Sequence, residues 1–215
     1  TCISVEHIFV HEQIFSNFVL KLSDKIKNIS SGKDLGAISI KSEIKKMNLL
    51  VEENRKKAEI IKGDSIGEHF FPPTLIINPC KNSEIMNKEI FGPIMTINQF
   101  SDEQEVIDFA NSSGYGLSAS IFGKDKKKMK FIADRLKVGA ICFNDVMTHY
   151  GIADLPFGGF GLSGIGKMHG KEGLRAFSKQ KSYLSNRLYL KSEFWWFEKR
   201  EKFSGFIKKW IKLKY

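Results

Sequence analysis

Between Ile94 and Phe143 the sequence alternates short β-branched runs with charged amphipathic stretches, and this alternation constrains the fold more than any other feature. Residues 94–100 predict a strand, 102–111 a helix, 117–122 a strand, 125–136 a helix and 140–143 a strand. Ser101 with Gln104 fits a capping box, and Asp125 suits an N-cap. Strands joined by helices of about ten residues imply right-handed crossovers and a parallel sheet, so the fold class is α/β. Ligands of such sheets sit beyond the carboxyl ends of the strands, and Asn144 stands at such an end.

The flanking sequence supports the same class. Residues 3–10 form a β-branched and aromatic run, followed by Ile14, Phe15, Phe18, Val19, Leu22 and Ile26 at helical spacing. Ser31-Gly32 ends that helix. A second, highly charged helix is predicted over 42–61 and closed by Gly63, and a short strand over 74–77 follows Pro72-Pro73. A short helix runs from Gly170 to Phe177, and the weak alternation of 181–189 predicts a final strand.

The 215 residues are enough to bury a substantial core. Net charge is +10, but residues 194–215 hold seven Lys or Arg against two Glu and so supply +5 of it. The body is therefore only mildly basic, which argues against a nucleic-acid groove in the fold. In this tail Phe203, Phe206, Ile207, Trp210 and Ile211 share one helical face while Lys202, Lys208, Lys209 and Lys212 lie mostly elsewhere. Such a helix suits a membrane interface or packing on the body or another subunit. Cys2, Cys80 and Cys142 lack metal-type spacing and suit thiols in a reducing compartment, hence a cytoplasmic protein. His7, His11, His69, His149 and His169 are scattered, so no metal site is expected. There is no run of 18 apolar residues and no signal-peptide pattern, and residue 1 is Thr, so the chain is expected to begin within a longer sequence.

The glycine-dense run from Pro156 to Gly166 contains two phosphate-loop patterns, Gly159/Gly161/Gly164 and Gly161 to Lys167. Neither follows a strand directly, and Met168 replaces the hydroxyl residue that the second requires. The alternative is that these glycines let backbone pass close to backbone or adopt positive φ.

Three ordered stretches carry a family resemblance: Thr1-Cys2-Ile3-Ser4, Asn87-Lys88-Glu89-Ile90-Phe91-Gly92-Pro93, and the segment from Asn144 to Pro156-Phe157-Gly158-Gly159. With Phe71-Pro72-Pro73-Thr74, Tyr115 to Ser120 and Gly139 to Asp145 between them, the chain resembles the carboxyl-terminal catalytic part of the aldehyde dehydrogenase superfamily from Thr1 to about Tyr189. The resemblance implies a catalytic domain over 1–180 and an oligomerisation strand over 181–191 that pairs across a homodimer; the basic amphipathic tail over 192–215, read from its own residues, lies outside it. Its motifs are most similar to the branch that oxidises medium- and long-chain or aromatic aldehydes.

By that resemblance Cys2 is the nucleophile. Its thiolate would attack an aldehyde to give a thiohemiacetal, hydride would pass to NAD or NADP, and water would cleave the resulting thioester. Glu89 resembles the residue that holds the nicotinamide ribose hydroxyls, and Phe91 the one that packs beside the nicotinamide. Phe157 is similar to a residue lining the aldehyde tunnel, and Asn144 to one that positions the active-site loop. The second oxyanion donor and the general base lie upstream of the cysteine in this family, so the chain alone is expected to be inactive. The tail would bring the enzyme to a membrane surface. The competing reading is a truncated, non-catalytic homologue that serves as a binding or oligomerisation module.

Overall fold

The computed structural model describes residues 1–187, Lys191, Glu193 and residues 196–214, which form two units, Thr1–Ser178 and Lys179–Tyr215. In the first unit a turn leads into β1 (His7–His11) and then α1 (Glu12–Lys27). His11 caps this helix by accepting the Gln13 N–H at 3.3 Å. There follow β2 (Ser30–Ser31), α2 (Lys41–Asn54), β3 (Glu59–Lys62), β4 (Asp64–Ser65), β5 (Thr74–Ile77), α3 (Glu84–Asn87) and β6 (Ile94–Phe100).

The main sheet has the order β1-β6-β5-β3. Both β1 and β5 run parallel to β6, whereas β3 is antiparallel to β5. Every residue of β5 is buried, as expected of a continuous apolar run covered on both faces. Its alternation separates two cores: Ile76 packs with Met47, Val51, Phe71, Ile85, Met86 and Ile94, while Leu75 and Ile77 pack with Val10, Phe15, Ile26 and Ile97. Helices α2 and α3 thus cover one face and α1 the other. Each fully buried Ile or Leu here contributes about 1.5–3 kcal/mol.

The charged helix expected over 42–61 ends at Asn54, and its last residues form β3 instead. The register Ile60↔Ile76 and Ile61↔Leu75 satisfies an edge of β5 that a continued helix would leave unpaired. Gly63 is therefore a close crossing and not a helix stop: a Cβ there would lie 2.3 Å from the Ile29 carbonyl oxygen.

Beyond β6 the order is α4 (Glu103–Ser112), β7 (Ser118–Ile121), α5 (Lys126–Ala133) and β8 (Ala140–Phe143). The N-cap of α4 is Asp102, which accepts the Gln104 N–H at 2.9 Å, rather than Ser101. Asp125 caps α5 as expected. The single parallel sheet anticipated from the alternation is divided. Both edges of β6 are taken, by β1 and β5, so β7 pairs in parallel with β8 alone.

The glycine run contains only a 3-10 turn, Gly161–Ser163, before α6 (Gly170–Ala176). A Cβ on Gly158 would meet the Gly166 carbonyl oxygen at 2.2 Å, and one on Gly161 (φ +57°) the Gly114 oxygen at 2.3 Å. These glycines serve backbone crossings, with no strand–loop–helix phosphate cradle. In the second unit residues 181–187 form no strand, and Leu188 and Tyr189 of the expected final strand lie outside the described residues. A 3-10 turn, Phe197–Lys199, leads into α7 (Arg200–Lys214). Among the described residues no helix is long and apolar enough to cross a membrane.

Candidate active site

Cys2 occupies the corner of a turn closed by the Ser4 N–H donating to the Thr1 carbonyl at 3.0 Å. The next side chain, Ile3, is buried and anchors the turn, which leaves the Cys2 thiol exposed. Among the described residues the Cys2 N–H donates to no protein acceptor. Four residues on, the Glu6 carbonyl accepts the Thr96 N–H at 2.8 Å, and His7 is in register with Thr96.

The loop that leads into β6 carries the second group. Asn87 ties its start by donating to the Ser83 carbonyl at 2.9 Å, and the Pro93 carbonyl fixes its end by accepting the Thr74 N–H at 2.8 Å. Between these anchors Glu89 is exposed and Phe91 is 61% exposed, so neither side chain is spent on the core. Gly92 packs flat on buried Met47, whose Sδ would lie 2.1 Å from an added Cβ. Because β1 and β6 are parallel, the Cys2 turn and the Glu89–Phe91 loop meet at the same, amino-terminal end of the sheet. The end beyond the carboxyl termini, expected from general α/β rules, is not where these residues gather.

Glu6 links the two segments and was not singled out from the sequence. Its carboxyl is pushed up from the ordinary 4.5 to about 7, first by burial; the Ile90 backbone N–H opposes this, the Glu89 carboxylate adds to it, and the Thr1 amino group weakly lowers it. Next to it His7 Nδ1 lies 2.8 Å from Thr96 Oγ1, which also accepts from Asn98 Nδ2 at 3.2 Å. Burial lowers the His7 pKa, disfavouring the charged ring. The sequence offered one signal for Glu6, an acid placed where a strand begins four residues after Cys2.

Asn144 and Phe157 belong to a different cluster. Asn144 adopts φ +54°, accepts the Gly123 N–H at 2.9 Å and donates to the Gly123 carbonyl at 3.0 Å, so its amide latches the ends of β7 and β8. Phe157 is buried against Tyr150, edge-on at 5.0 Å between centroids, with His149 and His169 about 6 Å away at 6.1 and 6.0 Å. Cys142 Sγ lies 3.1 Å from His149 Nδ1 in the same cluster, and burial pushes that thiol's pKa up. Among the described residues no hydrogen bond or ring contact joins Asn144 or Phe157 to Cys2, Glu89 or Phe91.

Residues 1–183 match the aldehyde dehydrogenase family. The chain belongs to that family. It is 34% identical over 194 residues to aldehyde dehydrogenase family 3 member F1 of Arabidopsis thaliana, covering 87% of this chain and 40% of the relative. It is 33% identical over 215 residues to 4,4'-diapolycopene aldehyde oxidase of a Methylomonas species, covering 96% and 41%. The chain thus spans about two-fifths of the length of these curated relatives. Among solved family members, succinic semialdehyde dehydrogenase from Streptococcus pyogenes, in complex with NADP+, superposes with TM-score 0.76 at 27% identity over 86% of this chain and 43% of that one. A betaine aldehyde dehydrogenase point mutant from Staphylococcus aureus, in complex with NAD+, gives TM-score 0.76 at 32% identity over 89% and 41%.

Proposed function

We propose that the intact protein carrying this chain oxidises an aldehyde to the carboxylic acid with NAD or NADP, using Cys2 as the nucleophile. The observation that carries this reading is the shared sheet end at which the exposed Cys2 thiol and the exposed Glu89 and Phe91 side chains emerge. Binding of NADP+ and NAD+ by the two solved relatives supports it.

The residues present fit a dinucleotide's nicotinamide end. An exposed carboxylate on an anchored loop accepts from two ribose hydroxyls, and an exposed aromatic ring two residues away offers a flat apolar wall. The Cys2 thiolate adds to the aldehyde carbon, and its own N–H, free of protein acceptors, donates to the oxyanion that forms. When bound, the dinucleotide accepts the hydride. Water then cleaves the Cys2 thioester and returns the thiolate, releasing the acid.

The substrate class proposed is a medium- or long-chain aliphatic or an aromatic aldehyde, on the likeness of the Cys2 and Asn144 motifs to that branch of the family. Exposed Phe206, Trp210 and Ile211 on basic α7 support peripheral contact with an anionic membrane, from the cytoplasmic side. The three free cysteines agree with a reducing compartment. Residues 181–191 are proposed to pair across a homodimer.

The test is NADH or NADPH formation by the intact protein over a series of aldehydes of increasing chain length. Parent activity that rises with chain length, and a fall of about a thousand-fold or more in Cys2→Ala, is the expected result. Comparable turnover by Cys2→Ala refutes the reading.

A further inference from the structure

Residues 124–137 hold seven Lys or Arg against two Asp, a net +5. Together with the +5 of residues 194–215 this accounts for the whole +10, so the rest of the chain sums to zero. The charge of the body is thus gathered on α5 and its flanks. Met129 is buried and Ile132, Ala133 and Leu136 are half-buried, which anchors the helix, while every Lys and Arg of the segment is exposed. Lys128 pairs with Glu103, and Lys130 with Asp134 at 2.9 Å, but Lys124, Lys126, Lys127 and Lys137 make no ion pair among the described residues. The first turn of α5 has no acidic residue, so Lys126 and Lys127 stand against the helix dipole and against each other. Such crowding of like charge costs stability and is relieved by an anionic partner.

We propose that α5 and its flanks form a docking surface for an anionic phospholipid membrane. The open face lined by Lys126, Lys127, Lys130, Phe131, Asp134 and Arg135 is basic, and Phe122, two residues before Lys124, is exposed as well. A lysine cluster of this size on an exposed helix is drawn to an anionic leaflet, and aromatic side chains among the lysines suit the headgroup region. Two observations favour a membrane over nucleic acid. Six of the seven cations are Lys, compact charges without the planar fork that grips a phosphate at two points. The Arg135 guanidinium also sits 3.5 Å from the centre of the Phe131 ring, covering a face on which a base would stack. The contact rests on charge, so it weakens as salt rises, and it strengthens rather than replaces the contact proposed for α7.

The experiment is sedimentation of the intact protein with vesicles of phosphatidylcholine, with and without phosphatidylserine, for the parent and two triple variants. Lys124→Gln, Lys126→Gln and Lys127→Gln together remove unpaired charge from α5, and Lys45→Gln, Lys56→Gln and Lys57→Gln remove as much charge elsewhere. All six side chains are exposed, so both variants should melt as the parent does. At about 25 mM salt the α5 variant should bind phosphatidylserine vesicles about ten- to hundred-fold more weakly than the parent, a gap that narrows by about 150 mM. The second variant should stay within about three-fold of the parent, and vesicles without phosphatidylserine should not distinguish the three proteins. Parent-like binding by the α5 variant, equal weakening in both variants, or a parent that ignores phosphatidylserine at low salt overturns the proposal. A larger loss on duplex DNA than on phosphatidylserine vesicles also overturns it and assigns the face to nucleic acid.

Discussion

The Glu6 carbonyl and the Thr96 N–H, 2.8 Å apart, join the segment that follows Cys2 to the strand that follows Glu89. This bond extends the parallel β1–β6 ladder by one residue toward the site, so two loops distant in sequence emerge side by side.

If Glu89 accepts from the ribose hydroxyls, Glu89→Gln loses a charged acceptor, a change of about 1.5–3 kcal/mol. The coenzyme KM of the intact protein should rise about ten- to hundred-fold. The melting temperature should stay unchanged, because Glu89 is exposed and anchors nothing in the core. Steady-state kinetics against coenzyme and a thermal melt together check this.

The pH dependence of stability has a definite sign. The folded state raises the Glu6 pKa from 4.5 to about 7, so its contribution favours folding fully below 4.5 and is lost as pH rises through 7. His7, held below 6.5 by burial, acts oppositely, favouring folding above 6.5 and losing that contribution as pH falls. Glu6→Gln removes only the first effect. Its melting temperature should exceed the parent's by a few degrees near pH 8 and match it near pH 5; a pH-independent difference between the two melts contradicts the assignment.

Gly139 lies where β8 begins, and a Cβ on it would come within 1.7 Å of the Gly158 carbonyl oxygen. Backbone cannot move aside as a side-chain tip can. Gly139→Ala should therefore destabilise the protein by about 1–3 kcal/mol, a drop of several degrees in a calorimetric melt. An unchanged melt would mean that the two segments cross less closely.

Much of this was legible in the sequence because it depends on local pattern. The alternation around β6, α4, β7, α5 and β8 located each of them to within a few residues, since periodicity and caps such as Asp125 are local signals. What was missed depends on partners distant in sequence. Arg55-Lys56-Lys57 continues a helical charge pattern, and only the open edge of β5 turns Glu59–Lys62 into a strand. The split into two sheets follows from β1 occupying an edge of β6, which no periodicity reports. In the site, motif residues such as Cys2, Glu89 and Phe91 were identifiable by their neighbours, whereas Glu6 acquires its character from burial beside Ile90. Asn144 was visible as a strand end, but its latch on Gly123 was not.

The basic helix α7 exposes Phe206, Trp210 and Ile211. Deleting residues 194–215 from the intact protein should release it from anionic vesicles in a sedimentation assay. Unchanged vesicle binding would place the membrane contact elsewhere or nowhere.

The account stands most directly on Cys2. Intact protein mixed with an aldehyde and NAD or NADP, quenched in acid during the first turnover and digested, should yield a peptide beginning at or before Cys2 and carrying the acyl group as a thioester on that residue. The adduct should be absent from Cys2→Ala and from samples lacking coenzyme. An acyl group on Cys80 or Cys142, or turnover with no adduct on Cys2 and full activity in Cys2→Ala, would contradict it.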